Sequence, residues 1–229
     1  MKSSEKIDLE KNIAAEKALD YIHNGMTVGL GSGSTFKIFL EKLSQKVKEG
    51  LEIQTVSTSN GTTSLAESLG IKPTNLSEIN SIDITIDGAD EVDHELNGIK
   101  GGGGALLYEK IIASISQKNI WMINQEKYVD RLGKFPLPLE VVPFGADHTF
   151  KKFKEMRLNP KFRMDGDKYF ITDGKHLTID LDISRKVDMK KLDEELKSIP
   201  GVIETGLFLN LCSMVIIGNE NKCDIIERT

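Results

Sequence analysis

Acidic residues crowd the point where an alternating apolar segment ends. The segment SIDITIDGADEVD (81–93) begins with three isoleucines that alternate with polar residues, which predicts a β-strand. Asp87 and Asp90 then flank a Gly-Ala turn at its carboxyl end. Carboxylates placed there suit proton transfer, or the binding of Mg²⁺ or Ca²⁺, although the spacing is not that of an EF-hand loop. The later acids are interpreted as a solvated loop: Glu91, Asp93 and Glu95.

Two further polar turns each join a predicted strand to a predicted helix. In GLGSGST (29–35), backbone N–H groups at the positive end of a helix can cradle a phosphate. The turn lacks the lysine of a P-loop, and Phe36 stands where a dinucleotide fingerprint has its third glycine. A tight turn without a ligand explains this motif about equally well. The second turn, in TSNGTTSLAE (58–67), is predicted to be an ordinary helix start capped by Ser59 or Asn60.

Four consecutive glycines, residues 101–104, separate Lys100 from an amphipathic helix in IKGGGGALLYEK. Linkers seldom run straight into such a helix, so close approach of the backbone to a ligand is the better explanation. Lys100 places a positive charge at the start of the turn. Glu109 lies within the helix, and its spacing alone favours a surface position.

The elements that carry these turns alternate between strand and helix up to about residue 132. That alternation predicts a parallel sheet covered on both faces, an α/β fold. Ligands of such sheets sit at the carboxyl ends of the strands, so the polar turns are expected to converge there. The predicted helices cover 8–23, 34–47, 60–70 and 105–116, and the predicted strands cover 26–31, 51–58, 81–89 and 119–124.

The pattern changes after residue 132. A proline-rich crossing (133–145) leads to helices at 148–157 and 188–202, with a hairpin between them at 168–183 that turns at Asp173-Gly174. This order predicts a small α+β domain over 133–206. The apolar segment 206–220 is expected to return to the first sheet, so the larger domain is predicted to comprise 1–132 plus 207–229.

Composition and charge restrict the class of partner. The net charge of −5 argues against a nucleic-acid binder. The two cysteines form no CxxC pair and lie in no cluster with histidine, which argues against a zinc site or a disulfide scaffold. The charged first helix has no signal-peptide core, and no apolar stretch reaches the roughly 20 residues of a membrane span. We therefore expect a cytoplasmic protein without membrane association.

Taken together and in this order, the motifs resemble those of ribose-5-phosphate isomerase, type A. The segments DITIDGADEVD, LGKFPLPLEVVPF and IPGVIETGLF resemble the same family. The resemblance implies interconversion of ribose 5-phosphate and ribulose 5-phosphate through an enediolate, in the non-oxidative pentose phosphate pathway, without metal or cofactor. It also implies a Rossmann-like domain, an inserted ferredoxin-like α+β domain, and a homodimer or homotetramer.

The resemblance also implies roles for individual residues. Glu109 would be the base that moves a proton from C2 to C1. Asp87, with Asp90 beside it, would assist ring opening and proton movement between the two oxygens, and Lys100 would stabilise the enediolate. The substrate-binding residues would be Lys11 and Lys127, Ser32, Gly33, Ser34 and Thr35, Gly88 and Ala89, and Gly101, Gly102 and Gly103, with Lys11 on the phosphate side.

Three alternatives to this function remain open at the level of sequence. One is a related sugar-phosphate enzyme, such as a lactonase or an amino-sugar-phosphate isomerase, although their hallmark motifs are absent. Another is a sugar-phosphate sensor without catalysis, against which the joint presence of Asp87, Lys100 and Glu109 speaks. The third is a CoA-transferase-like enzyme, in which Glu109 would be a nucleophile instead of a base.

Overall fold

The computed structural model describes residues 3–220 and 222–228. Residues 1, 2, 221 and 229, which the predicted larger domain includes, lie outside the described residues. The helices are α1 (Ser3–Ala18), α2 (Gly33–Lys48), α3 (Asn60–Ser68), α4 (Leu106–Ser114), α5 (Ala146–Glu155) and α6 (Met189–Lys197). The strands are β1 (Thr27–Leu30), β2 (Gln54–Ser57), β3 (Ile82–Gly88), β4 (Glu91–Val92), β5 (Gly98–Ile99), β6 (Ser116–Asn124), β7 (Leu137–Val141), β8 (Lys161–Phe162), β9 (Met164–Asp165), β10 (Lys168–Tyr169), β11 (Leu177–Leu181), β12 (Val202–Thr205), β13 (Leu207–Phe208), β14 (Met214–Gly218) and β15 (Cys223–Glu227).

The largest sheet has six strands in the order β15-β14-β6-β3-β1-β2. All neighbours pair in parallel except β15, which is antiparallel to β14. The predicted α/β fold class is confirmed. Its core lies between the sheet and helices α1 and α2, where Leu30, Ile86 and Phe39 are fully buried. Burial on both faces explains why β14 reads as a continuous apolar run.

Helix α1 packs closely on the sheet because small residues face it. Ala14, Ala15 and Ala18 are fully buried in the shared core. Where the helix crosses β14, a Cβ atom built on Gly218 would lie only 1.9 Å from the carbonyl oxygen of Glu10. Only a residue without a side chain fits this backbone-to-backbone contact.

Replacing Gly218 by alanine is therefore expected to destabilise the fold by about 2 kcal/mol or more, because neither backbone can yield easily. Chemical denaturation of the variant measures this loss. Gly61→Ala is the matched control, since the nearest atom to its Cβ would be Ser59 Oγ at 3.8 Å. Equal stability of the Gly218 variant and wild type would contradict the tight packing of α1.

A second sheet of four strands follows, in the order β12-β7-β11-β8, with all pairs antiparallel. Helices α5 and α6 pack on it through Phe153, Leu192 and Leu196. The chain order is strand, helix, strand, strand, helix, strand, which is the ferredoxin-like arrangement that the resemblance implies.

A short three-stranded sheet, β13-β5-β4, connects the two larger ones. Its centre, β5, ends directly before Lys100, and the Lys100 backbone N–H donates to the carbonyl oxygen of Gly206 at 2.9 Å. This anchor determines where the glycine-rich segment after Lys100 begins.

Several predicted elements differ from the structure. Helix α1 starts at Ser3 and ends at Ala18, followed by a 3₁₀ turn, and β6 already begins at Ser116. The predicted hairpin at 168–183 forms only around its Asp173-Gly174 turn: Ile171 and Leu177 make an antiparallel bridge and the Thr172 N–H donates to the His176 carbonyl oxygen, whereas β10 pairs with β9. Both edges of β11 are occupied by β7 and β8, so the preceding segment cannot pair along it. Strand β15 was not predicted.

Candidate active site

Segments from separate elements meet at the carboxyl edge of the central sheet, as the polar turns predict. They enclose a cavity of about 250 Å³. We call residues 101–104 the glycine loop. The cavity is lined by Ser32, Gly33, Ser34, Thr35, Gly88, Ala89, Asp90, Lys100, Gly101, Gly102, Gly103, Glu109 and Lys127.

Asp87 lies behind this lining at the end of β3, held by backbone donors. Its Oδ1 accepts hydrogen bonds from the N–H groups of Ser32 (2.9 Å) and Gly88 (2.7 Å). The turn after β1 passes so close that a Cβ on Gly31 would lie 2.2 Å from Asp87 Oδ1. Gly31 is therefore needed because the backbone contacts a buried carboxylate.

Lys100 is 3% exposed and lies between two carboxylates. Its Nζ is 2.9 Å from Asp87 Oδ2 and 3.3 Å from Glu109 Oε2, and it donates to the carbonyl oxygen of Gly88 at 2.5 Å. Burial lowers the pKa of Lys100, but the two carboxylates outweigh burial and raise the pKa above its ordinary value. Lys100 is thus a permanent positive charge at neutral pH.

Glu109 is buried in the first turns of α4 and faces the cavity, so the surface position that its spacing favours is wrong. Burial raises its pKa to about 7; the Lys100 charge opposes this shift, the Asp87 charge adds to it, and the Ser32 hydroxyl opposes it. Ser32 Oγ donates to Oε1 at 2.5 Å. Within the described chain Oε2 accepts no hydrogen bond. Oε2 is therefore a buried oxygen whose charged neighbour is Lys100 and which has capacity left to accept a hydrogen bond.

Asp90 and Lys127 complete the opposite wall. Asp90 Oδ2 accepts a hydrogen bond from the Gly102 N–H at 2.7 Å. Lys127 Nζ donates to the carbonyl oxygen of Ala89 at 2.5 Å. Burial lowers the pKa of Lys127, partly offset by the Asp90 charge. Two lysines and two carboxylates thus surround the glycine loop.

Two residues expected at the site do not line the cavity. Asp87 reaches it only through Lys100. Lys11 lies on α1, with Nζ 3.8 Å from Asp8 Oδ1, although its charge contributes to lowering the pKa of Lys127.

The solvated-loop interpretation is wrong for Glu91. This side chain is 3% exposed, and its carboxylate accepts hydrogen bonds from the N–H groups of Gly133 (2.7 Å) and Phe135 (2.5 Å). It holds the crossing between the two large sheets. Glu95 is exposed, as expected. Over residues 3–220 and 222–228, no three His, Cys, Asp or Glu side chains come together as ligands for a metal ion.

The second turn behaves as predicted: Ser59 Oγ accepts a hydrogen bond from the Thr62 N–H at 3.0 Å and caps α3. Thr62 also connects the two polar turns, because its Oγ1 donates a hydrogen bond to the carbonyl oxygen of Gly31 at 2.8 Å. No helix of the described residues is long and apolar enough to cross a membrane.

Comparison with known proteins gives the family. The model for ribose 5-phosphate isomerase A (phosphoriboisomerase A) matches residues 54–222. The chain belongs to this family. Ribose-5-phosphate isomerase A of Streptococcus thermophilus (strain CNRZ 1066) is 46% identical over 224 residues, covering 96% of this chain and 99% of the relative. The protein of that name from Limosilactobacillus reuteri (strain DSM 20016) is 46% identical over 210 residues, or 91% and 92% of the two chains.

Solved structures of ribose-5-phosphate isomerases share the whole fold. A D-ribose-5-phosphate isomerase in complex with phospho-erythronic acid superimposes with a TM-score of 0.93 at 36% identity, covering 97% of this chain and 99% of that one. The ribose 5-phosphate isomerase A of Methanocaldococcus jannaschii gives 0.90 at 32% identity, with coverage of 95% and 98%. The family and the fold are those of an aldose–ketose isomerase, and ribose-5-phosphate isomerase A converts ribose 5-phosphate into ribulose 5-phosphate.

Arg163 was missed by the sequence analysis, although it contacts the glycine loop. From its position directly after β8, it donates to the carbonyl oxygens of Gly101 (2.8 Å) and Gly102 (3.1 Å). No signal in the sequence marks it, because the partners are about sixty positions away along the chain.

Proposed function

We propose that this protein interconverts ribose 5-phosphate and ribulose 5-phosphate by proton transfer, with Glu109 as the base. The observation that carries the proposal is the state of the Glu109 carboxylate. It is buried, it faces the cavity, its Oε2 accepts no hydrogen bond from the described residues, and its pKa is raised to about 7. A base whose pKa matches neutral pH is the most effective proton acceptor and donor there.

The chemistry follows from two opposed charges. Glu109 takes the hydrogen of C2 as a proton, the C2 electrons form a C1–C2 double bond, and the aldehyde oxygen becomes negative. Lys100, 3.3 Å from Glu109 Oε2, stabilises that negative charge. Glu109 returns the proton to C1, and the hydroxyl proton on O2 moves to O1, which leaves a ketone at C2. No atom is gained or lost.

Asp90 is better placed than Asp87 to assist the sugar oxygens. Asp90 lines the cavity, whereas Asp87 is occupied by Lys100 and by two backbone N–H groups. We propose that Asp90 handles ring opening and proton movement between O1 and O2, and that Asp87 orients Lys100.

The anionic end of the substrate is proposed to bind at the start of α2. Ser32, Gly33, Ser34 and Thr35 line the cavity where that helix begins, and helix N-termini favour anions. Lys127 lines the same cavity and adds positive charge. If a variant with both Ser34 and Lys127 changed no longer prefers ribose 5-phosphate over unphosphorylated ribose, that result would support this orientation.

The pH dependence of kcat/KM should report the ionisation of Glu109. Because the base acts in its ionised form, kcat/KM should fall by about tenfold per pH unit below the Glu109 pKa of about 7. Ser32→Ala removes a hydrogen bond to the ionised form, so the acid limb should move to higher pH. Ser32→Thr keeps a hydroxyl and serves as the control. An acid limb that stays in place in the alanine variant would contradict this.

The direct test of function is conversion of ribose 5-phosphate with EDTA present. We expect the purified protein to form ribulose 5-phosphate without added metal. Activity that disappears with EDTA and returns with Mg²⁺ would overturn the metal-free reading, and no activity would favour a sensor or another sugar phosphate.

We propose that the protein is a homodimer or homotetramer in the cytoplasm and that it does not bind nucleic acid. We also propose two domains: the larger comprises residues 1–132 plus 207–229, and the smaller comprises residues 133–206. Light scattering of the purified protein distinguishes the oligomers.

A further inference from the structure

The peptide group between Gly101 and Gly102 is held at both ends by charged side chains. Its N–H, on Gly102, donates to Asp90 Oδ2 at 2.7 Å. Its carbonyl oxygen, on Gly101, accepts from Arg163 Nη1 at 2.8 Å. We propose that Arg163, which directly follows β8 of the second sheet, is a positioning residue that fixes the glycine loop for the isomerisation. This inference rests on the proposed function.

Arg163 is itself held firmly. Its Nε and Nη2 bind the two carboxylate oxygens of Asp180 on β11, at 3.1 Å and 2.5 Å. Its backbone N–H donates to Thr178, and its carbonyl oxygen accepts from Phe170, each at 2.9 Å. A guanidinium fork fixed by a carboxylate loses little further freedom when it binds another group. The remaining nitrogen, Nη1, is thereby directed at the glycine loop.

The glycine loop needs such a clamp because it has little intrinsic rigidity. Glycine loses more conformational freedom on ordering than any other residue. Gly101 and Gly104 have φ of +101° and +84°, and a Cβ on Gly104 would lie 2.3 Å from the Phe170 ring. A flip of the Gly101–Gly102 peptide would turn its carbonyl toward the Asp90 carboxylate and its N–H toward the guanidinium. Such a flip breaks two charge-assisted hydrogen bonds at once.

The orientation of this peptide matters for the cavity on both sides. Its N–H holds Asp90, which lines the cavity, and it lies one peptide group after Lys100, which is proposed to stabilise the enediolate. Among the described residues, the Arg163 side chain bonds to Asp180, Gly101 and Gly102 and not to the anion-binding turn at 32–35, and it does not line the cavity. Its loss should therefore weaken binding of the enediolate far more than binding of the phosphate.

Arg163→Gln is expected to lower kcat by about 10- to 100-fold, the size of effect that slight misplacement of reacting groups produces. The KM for ribose 5-phosphate should change by less than about threefold, because Arg163 does not line the cavity and the anion-binding turn at 32–35 is unchanged. Arg163→Lys should recover part of the loss, since its ammonium can reach a carbonyl oxygen but cannot fork onto Asp180. Arg185→Gln is the control, an exposed arginine of the same sheet region.

A binding measurement separates positioning from general damage to the fold. Phospho-erythronic acid combines a phosphate with a planar carboxylate, which resembles the enediolate group. Its Kd should rise about in parallel with the fall in kcat, while the Kd of inorganic phosphate should stay within about twofold of wild type. Unchanged binding of both, or equal weakening of both, would overturn the role of Arg163. Inactive wild type, or a fully active Glu109→Gln variant, would instead refute the proposed function.

Discussion

Replacing Glu109 by glutamine should lower kcat by on the order of 10³-fold, within the range that general base catalysis contributes. Glutamine keeps the shape of the side chain and cannot accept the C2 proton. The KM should stay within a few-fold of wild type, because the anion-binding turn is untouched. Steady-state kinetics with ribose 5-phosphate, from pH 6 to 9, measure both constants.

The fold should tolerate this change because Lys100 keeps Asp87 as its partner at 2.9 Å. The matched control is Glu67→Gln, an exposed glutamate on α3, which should leave kcat unchanged. A Glu109→Gln protein with more than a tenth of wild-type kcat would mean that another group is the base. A trapped acyl-glutamate at Glu109 would point instead to the CoA-transferase alternative.

The second large effect is expected from Lys100→Met, which removes the charge between two buried carboxylates. Leaving buried charges without a partner costs about 3–5 kcal/mol of folding free energy. Loss of the group that stabilises the enediolate should also lower kcat by about 10²- to 10³-fold. Urea denaturation and steady-state kinetics at pH 8 measure the two losses separately.

The stability loss of Lys100→Met should be greater at pH 8 than at pH 6. The Glu109 pKa already lies near 7 in the folded wild type, above its ordinary value, and without Lys100 it rises further. The folded state then binds more protons than the unfolded state, so stability falls as pH rises through this interval. Adding Glu109→Gln should restore part of the stability at pH 8 but no activity. The control is Lys48→Met, an exposed lysine on α2. If Lys100→Met were as stable as wild type at pH 8, the claim that Lys100 stabilises the two buried carboxylates, Asp87 and Glu109, would be contradicted.

Much of the site could be predicted from the sequence because of one property of parallel sheets. The turns at 31–35 and 87–90 follow strands that leave the same edge, so their convergence did not depend on detailed packing. The glycine loop was also recognisable, because four glycines directly before a helix are best explained by close approach of the backbone to a ligand.

The rest depended on contacts between distant residues. Glu109 looked exposed because helical spacing alone cannot show which face the sheet covers. Glu91 looked solvated because its partners, Gly133 and Phe135, lie more than forty residues later. Arg163 and β15 were missed for the same reason. Arg163 contacts the glycine loop and β15 pairs with the edge of the central sheet, and both contacts exist only in the folded chain.

The central claim is that Glu109 removes the C2 hydrogen as a proton, and the fate of that hydrogen tests it most directly. Ribose 5-phosphate carrying deuterium at C2 would be converted with EDTA present by wild type and by Glu109→Gln, and the label followed by NMR. We predict a primary isotope effect on kcat/KM in wild type, with deuterium appearing at C1 and in solvent, and a loss of both processes in the variant. Release or transfer of the C2 deuterium by Glu109→Gln at close to the wild-type rate would contradict the claim.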